Sequence, residues 1–292
     1  MTRVSVIVPS FRDAEGLEQT FHALLRQRYP TEQVELLFVD NTPEFALEAR
    51  RERFRPARLL HEPTPGSYAA RNRALQEATG DVIAFTDADC LPDETWIAEG
   101  VRALSANPSG ALVAGRIEVF AADPARPTAA ELFELAMAFP QESYVVNAHF
   151  GATANVFVPS ELFRKVGPFL SGLASGGDQE FGRRVHAAGF PVVYCDTAVV
   201  RHPARRRIGD LLKKSRRVLR GVRDLERLGH LPEGSLASGL LTDMRPPVTT
   251  GWNILRDVSL GGWPRRTKAA GVLTLWRYHR AFCRVQLLLE RS

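Results

Sequence analysis

Along the first third of the chain, apolar residues fall into short β-branched runs separated by stretches of helical periodicity. Val4–Val8, Val34–Val39, Arg58–His61 and Val82–Phe85 predict strands. Between them Leu17, Phe21, Leu24 and Leu25 recur at helical spacing, and Tyr29-Pro30 closes that segment. Ala69–Ala78 predicts a second helix, ended by Gly80. Such alternation implies a parallel sheet covered on both faces, whose ligands bind beyond the carboxyl ends of the strands. Three of those ends are polar: Pro9-Ser10-Phe11, Asp40-Asn41-Thr42 and Asp87-Ala88-Asp89.

The middle is less regular. Ala111–Phe120 predicts a strand, and Ala129–Phe139 a helix with Leu132, Phe133, Leu135, Ala136 and Phe139 on its apolar face. A short helix over Pro159–Val166 is ended by Gly167-Pro168. The glycine- and serine-rich loop Gly172–Gly177 leads to Asp178-Gln179-Glu180, a helix to His186, and two strands at Val192–Tyr194 and Ala198–Val200. After His202 the character changes. Ile208, Leu211, Leu212, Ser215, Leu219, Val222 and Leu225 form one face of a long helix, and basic residues cover the rest. A second basic amphipathic segment runs from Trp263 to the end of the chain.

Charge sharpens that division. Residues 1–200 carry 18 Lys/Arg against 26 Asp/Glu, whereas residues 201–292 carry 20 against 7. A basic region of this kind implies an anionic partner: a phosphate-bearing ligand, an anionic membrane surface or nucleic acid, although no nucleic-acid-binding motif accompanies it. The alternative is a set of solvated helix faces that pack on the rest of the protein. Cys90, Cys195 and Cys283 are odd in number and far apart, which suggests neither a disulfide framework nor a zinc site and fits a reducing cytoplasm. Met1–Pro9 runs straight into a strand with no cleavage site, so no leader is expected, and no apolar run approaches the ~20 residues that span a bilayer.

Asp87 and Asp89 follow the buried run Asp81–Phe85. Two carboxylates at the end of a strand can hold a hard divalent cation through oxygen, and such a cation can neutralise a diphosphate leaving group.

The order of these segments resembles the family-2 glycosyltransferases. The resemblance is carried by Val4–Phe11, Phe38–Asn41, Ala70–Leu75, Phe85–Pro92 and Gly176–Arg184. It implies a GT-A fold, that is, a Rossmann-like three-layer α/β sandwich, here with a mainly helical basic C-terminal extension. Residues 1–204 would form the catalytic domain, with a nucleotide-binding half at 1–90 and an acceptor-binding half at 91–204. Residues 205–292 would form the extension. The implied activity is transfer of a sugar, with inversion, from a nucleotide-diphosphate donor to an acceptor hydroxyl, assisted by Mn²⁺ or Mg²⁺. The acceptor would be a polysaccharide, a glycolipid or another glycoconjugate, and the basic C-terminal helices add the expectation of a lipid-linked acceptor at the inner membrane face.

The resemblance also implies roles. Asp89 is expected to hold the metal, with His202 as a further contact, and Asp87 to approach the ribose. Pro9, Ser10, Phe11, Asp40, Asn41, Arg71 and Asn72 are expected around the nucleotide. Asn41 departs from the family's usual second acid, which leaves the base open. Asp178 is expected to be the catalytic base, with Glu180 as its competitor or accessory. Arg205 and Arg206 are expected to clamp the diphosphate, and Asn155 to lie near the acceptor. Plain structural roles compete at each position: helix N-terminal charge for Asp89, Asp178 and Glu180, and an Asx turn for Asn41. The rival functions are a sugar-phosphate nucleotidyltransferase, disfavoured by the lack of a glycine- and arginine-rich loop after the first strand, and a non-catalytic nucleotide-sugar or anionic-polymer binder.

Overall fold

The computed structural model describes residues 2–290. Its elements in chain order are β1 (Val4–Ser10), α1 (Ala14–Leu25), β2 (Val34–Asp40), β3 (Arg58–His61), α2 (Ser67–Leu75), β4 (Val82–Thr86), β5 (Leu91–Pro92), α3 (Trp96–Ser105) and β6 (Leu112–Phe120). Then come α4 (Ala129–Met137), α5 (Gln141–Ala148), β7 (Asn155–Pro159), α6 (Ser160–Val166), α7 (Gly177–Ala187) and β8 (Val192–Pro203). Four helices close the chain: α8 (Ile208–Arg227), α9 (Ser235–Met244), α10 (Val248–Arg256) and α11 (Trp263–Leu289).

The chain divides into two compact units. The first comprises residues 1–118, 139–172 and 177–202, and the second residues 119–138, 173–176 and 203–292.

The first unit is built on a sheet of order β3-β2-β1-β4-β7-β6-β8-β5. Val4, Val6, Ile7 and Val8 of β1 and Ile83, Ala84 and Phe85 of β4 are almost wholly buried, as near-continuous apolar runs require in strands covered on both faces. Phe21, Phe38 and Phe54 pack edge-to-face at centroid distances of 5.7–5.8 Å and bind α1 to the sheet.

β1 pairs in parallel with β2 and β4, and β2 with β3, as the alternation predicts. Beyond β4 the parallel expectation fails. β7 inserts between β4 and β6 and runs antiparallel to both. A period of two identifies a strand but not its direction, because direction depends on which distant strand it pairs with. Val192–Pro203 is also one strand rather than two. Asp196 and Thr197 interrupt its apolar pattern, but Arg116 pairs with Asp196 and Thr197 donates to Glu99, which holds them in the extended backbone. The helix expected over Ala129–Phe139 ends at Met137. Phe139 takes φ 52° and turns its ring against His202, with centroids 4.6 Å apart, and a further helix, α5, follows.

The second unit is helical. α4 carries Leu132 and Phe133 into a core formed with Leu211, Ile254, Leu260, Val272 and Leu273. Leu219, Leu236, Cys283 and Leu287 join α8, α9 and α11 in a smaller cluster. Asp243 is buried between Arg280 and Arg284, 2.7 Å from the Arg284 Nε. Among the described residues no helix is long and apolar enough to cross a membrane.

Candidate active site

The parallel register sets the first side of the site. Ser10 lies opposite Asp40, and Ile7 lies opposite Phe85, so β1, β2 and β4 end side by side. After Thr86 the chain turns sharply: Cys90 N donates to Asp87 O, and the buried Thr20 hydroxyl bridges the carbonyls of Ala88 and Cys90 at 2.8 and 2.7 Å. The antiparallel pairing of Leu91 with Arg201 continues one residue back, to bring Cys90 beside His202. Asp89, Cys90 and His202 each thereby present a ligand atom within 4.8 Å of the others, and His202 Nε2 is 3.8 Å from Asp89 Oδ1.

These donors fit a divalent ion through carboxylate and imidazole. Asp89 keeps 41% of its side-chain surface open, while His202 is buried and its ring is fixed by Phe139. Burial by surrounding protein raises the Asp89 carboxyl above its ordinary range against the attraction of His202, and the neighbouring Asp87 charge adds to the rise. Two such acids crowded together are relieved by a cation. Cys90 is wholly buried and its sulfur is a soft donor, so a hard cation would be held by the Asp89 carboxylate with the His202 imidazole beside it. The cysteine spacing alone carries no hint of Cys90 here, because its neighbour His202 comes from a strand more than a hundred residues later.

Asp87 leads from this cluster to the other side of the site. Its Oδ1 accepts from Arg71 Nη2 at 2.5 Å, and the Arg71 side chain is only 3% exposed, with its Nε left without a hydrogen-bond partner. Arg71 sits on α2 one turn after Tyr68, whose hydroxyl donates to Asp178 Oδ1 at 3.2 Å. Asp178 opens α7 and also accepts from the backbone N–H of Gln179 at 2.9 Å. Gly177 is required here, since a Cβ would lie within 3.0 Å of the Tyr68 ring.

Burial raises the Asp178 carboxyl above its usual range, although the Gln179 amide, Arg71 and Tyr68 all favour its charged form. Burial and the Asp178 charge in turn push the Tyr144 hydroxyl up to about 12, and both also raise Tyr68. Tyr68 and Tyr144 were not among the expected site residues. Tyr68 lies three residues from Arg71 on one helix face, a spacing that could have been followed from Arg71. Tyr144 gives no such signal. Replacing Tyr68 by Phe removes a hydrogen bond that favours the ionised Asp178, so the acidic limb of the rate profile should move to higher pH. A kcat/KM profile of Tyr68→Phe checks this; an unmoved limb would separate Tyr68 from the function of Asp178.

The remaining expected residues make the following contacts. Both N–H groups of the Asn41 amide go to the carbonyls of Glu62 and Thr64, at 2.7 Å each, and its oxygen accepts from Gly66 N. Asp40 is buried and accepts from Thr42 N, the Thr42 hydroxyl and Leu47 N. Asn72 clips the backbone of Phe169 through both ends of its amide. Ser10 donates weakly to Asp13 O, Pro9 lies within β1, and Phe11 is exposed. Glu180 is buried in a two-bond pair with Arg184, which also donates to the carbonyls of Val166, Gly167 and Pro168 and so holds the turn after α6. Asn155 is wholly buried: its oxygen accepts from Trp96 Nε1, and its nitrogen donates to Arg116 O and Ala198 O. In the helical unit, Arg205 gives its backbone N–H and guanidinium to the buried Glu134, which also pairs with Lys214. The Arg206 carbonyl accepts from the Thr128 hydroxyl, and its side chain is exposed.

An α/β sheet with acidic strand ends, extended by antiparallel strands, is the GT-A architecture of glycosyltransferases. Over all of this chain and 88% of its own, the fold matches a mannosyltransferase from Pyrobaculum calidifontis, solved in complex with GDP-Man and Mn²⁺, at a TM-score of 0.67 and 19% identity. Residues 5–167 match the profile of glycosyl transferase family 2, and the chain belongs to that family. It is 33% identical over 223 residues to Glycosyltransferase AglE of Haloferax volcanii, spanning 75% of this chain and 72% of the relative. It is 28% identical over 221 residues to the pre-mycofactocin glycosyltransferase of Mycobacterium tuberculosis, but spans only 45% of that protein. The chain is thus a glycosyltransferase.

Proposed function

We propose that the enzyme transfers a sugar from a nucleoside-diphosphate donor to an acceptor hydroxyl in one inverting displacement, with Asp178 as the base. The observation that supports this most is the continuous polar path from Asp89 and His202 through Asp87 and Arg71 to Asp178 and Tyr68. It links a carboxylate–imidazole pair suited to a cation with a carboxylate of raised pKa within the same unit.

The acceptor oxygen attacks the anomeric carbon as the bond from that carbon to the diphosphate oxygen breaks. Asp178 takes the hydroxyl proton, and the nucleoside diphosphate departs from the opposite face. A carboxylate with a raised pKa is the stronger base, and such positioned proton transfer contributes about 10²–10⁴-fold. Tyr68 holds Asp178 in place, and the buried Arg71 keeps Asp87 oriented. Asp89 and His202 would hold Mn²⁺ or Mg²⁺, which when bound neutralises charge on the leaving diphosphate. With the Asn41 N–H donors occupied, the base edge would be read by backbone and neighbouring groups rather than by that amide.

The decisive assay is turnover of a panel of nucleotide-sugars with and without chelator. EDTA should abolish turnover and added Mn²⁺ restore it, and Asp89→Ala should require at least about tenfold more Mn²⁺, in line with the loss of one ligand of a small site. Full turnover in chelator would remove the metal from the mechanism. Loss of turnover with every donor in the wild type would favour a binding role instead.

A further inference from the structure

The helical unit exposes an apolar face that its own core does not use. Along α11, Leu275, Tyr278, Phe282, Val285 and Leu289 are exposed, at alternating spacings of three and four residues, so they form one stripe. Beside it, α10 exposes Val248 and Trp252. Trp252 and Tyr278 both line a cleft of about 390 Å³ whose remaining walls include Pro246, Pro247, Leu255 and Ala270. That is large enough to admit a hydrocarbon group.

Cations surround this face. Arg256 lies 4.6 Å over the Trp252 ring, Arg245 immediately precedes the cleft prolines, and Lys268 continues the α11 stripe towards its N-terminus. From residue 235 to 289 there are eight Lys/Arg and only two carboxylates, Asp243 and Asp257. Asp243 is buried between Arg280 and Arg284, and Asp257 is engaged with Ser259. Asp243 is thus neutralised by Arg280 and Arg284, which leaves Asp257 against Arg245, Arg256 and Lys268 and the balance at this face positive.

We propose that the α10–α11 face seats on an anionic lipid bilayer. Trp252, Tyr278, Phe282 and the cleft meet the acyl region, and Arg245, Arg256 and Lys268 meet the headgroup phosphates. An exposed indole capped by a guanidinium suits the boundary between hydrocarbon and water. A second copy on the same face would set like charges together, whereas an anionic bilayer supplies the opposite sign. The amphipathic character of this face, apolar along one stripe and basic at its rim, suits contact in the plane of the interface. This surface is independent of the transfer chemistry.

The test is flotation of the full chain with vesicles of phosphatidylcholine alone or with about 30% phosphatidylglycerol, at about 0.1 M salt, where surface charges still act over roughly 10 Å. The chain should float with the anionic vesicles and bind the neutral ones at least about tenfold more weakly, since each Lys or Arg near an anionic surface matters at that level. Arg256→Glu with Lys268→Glu, and separately Trp252→Ala with Phe282→Ala, should each lower anionic partition about tenfold or more. Circular dichroism and nucleotide-sugar turnover without lipid should be unchanged in both, because all four side chains lie on the surface. Equal partition on both vesicle types, or none on either, would overturn the proposal. So would a concentration-dependent dimer that the Trp252/Phe282 variant dissolves.

Discussion

Asp178→Asn should lower kcat/KM by about 10²–10⁴-fold while leaving the affinity for the nucleotide nearly intact. The amide keeps the size of the carboxylate and can still meet Tyr68 and Gln179 N, so the loss isolates proton abstraction. The same variant should be more stable than the wild type at neutral pH. Burial raises the folded-state pKa of this carboxyl, so folding favours its neutral form. The stability conferred by that group is fully present below the unfolded carboxylate range and is lost as pH rises through the folded value. At neutral pH the wild type therefore carries an unfavourable buried charge that Asn removes. Thermal melts at pH 7 should place the variant above the wild type, and the difference should vanish near pH 3, below the ordinary carboxylate range of about 4. The kcat/KM profile of the wild type should fall on its acidic side at a pH above that range. Unchanged turnover in Asp178→Asn would end its role as base. A melting temperature lowered at neutral pH would show that Asp178 stabilises the fold.

Asn155→Ala should be the most damaging substitution to the fold. This one amide joins four elements: Trp96 of α3, Arg116 of β6 and Ala198 of β8 all bond to the first residue of β7. Gly115 leaves the room, because a Cβ there would lie 2.4 Å from the Asn155 amide. Alanine removes the Asn155 partner of the Trp96 indole N–H, of the buried Ala198 carbonyl and of the part-buried Arg116 carbonyl, each loss costing about 1–3 kcal/mol, so the total should reach ~3 kcal/mol. For a unit of this size the melting temperature should fall by roughly 6–12 °C. Differential scanning calorimetry checks the size of the change. A melting temperature within about 2 °C of the wild type, combined with a raised KM for acceptor, would instead restore the acceptor-side role suggested by its place in the chain.

β1, β2 and β4 were legible because each contains a continuous buried run, and burial on both faces leaves a compositional mark, whereas β3, at the edge of the sheet, buries only Leu59. The polar ends at Ser10, Asp40 and Asp87 were legible for the complementary reason: polar residues directly after such runs have few places to go except the edge of the sheet. β7 was harder. Its residues form a strand in any setting, but only its insertion between β4 and β6 makes it antiparallel. α5 has a buried face of little more than Gln141 and Val145, too small for a periodic signal. Glu180 shows the limit in the site itself. Two residues from Asp178 it has the same chemistry on paper, yet α7 turns it inward onto Arg184, and Asp178 alone reaches Tyr68.

The order of short apolar runs and acidic strand ends implied, without coordinates, an α/β sheet with a ligand site at its strand ends and a basic helical C-terminal region, and the motifs' resemblance to family 2 added the glycosyltransferase reading. Periodicity and charge are local quantities, and a linear string carries them in full. Tertiary structure decided what depends on distant partners. It brought His202 to Asp89 through the pairing of β5 with β8, and it set Tyr68 against Asp178. It also drew α4 from mid-chain into the core of the helical unit, and it left one face of α10 and α11 uncovered. Such contacts follow from which buried surfaces find one another, and no spacing along the chain encodes that choice.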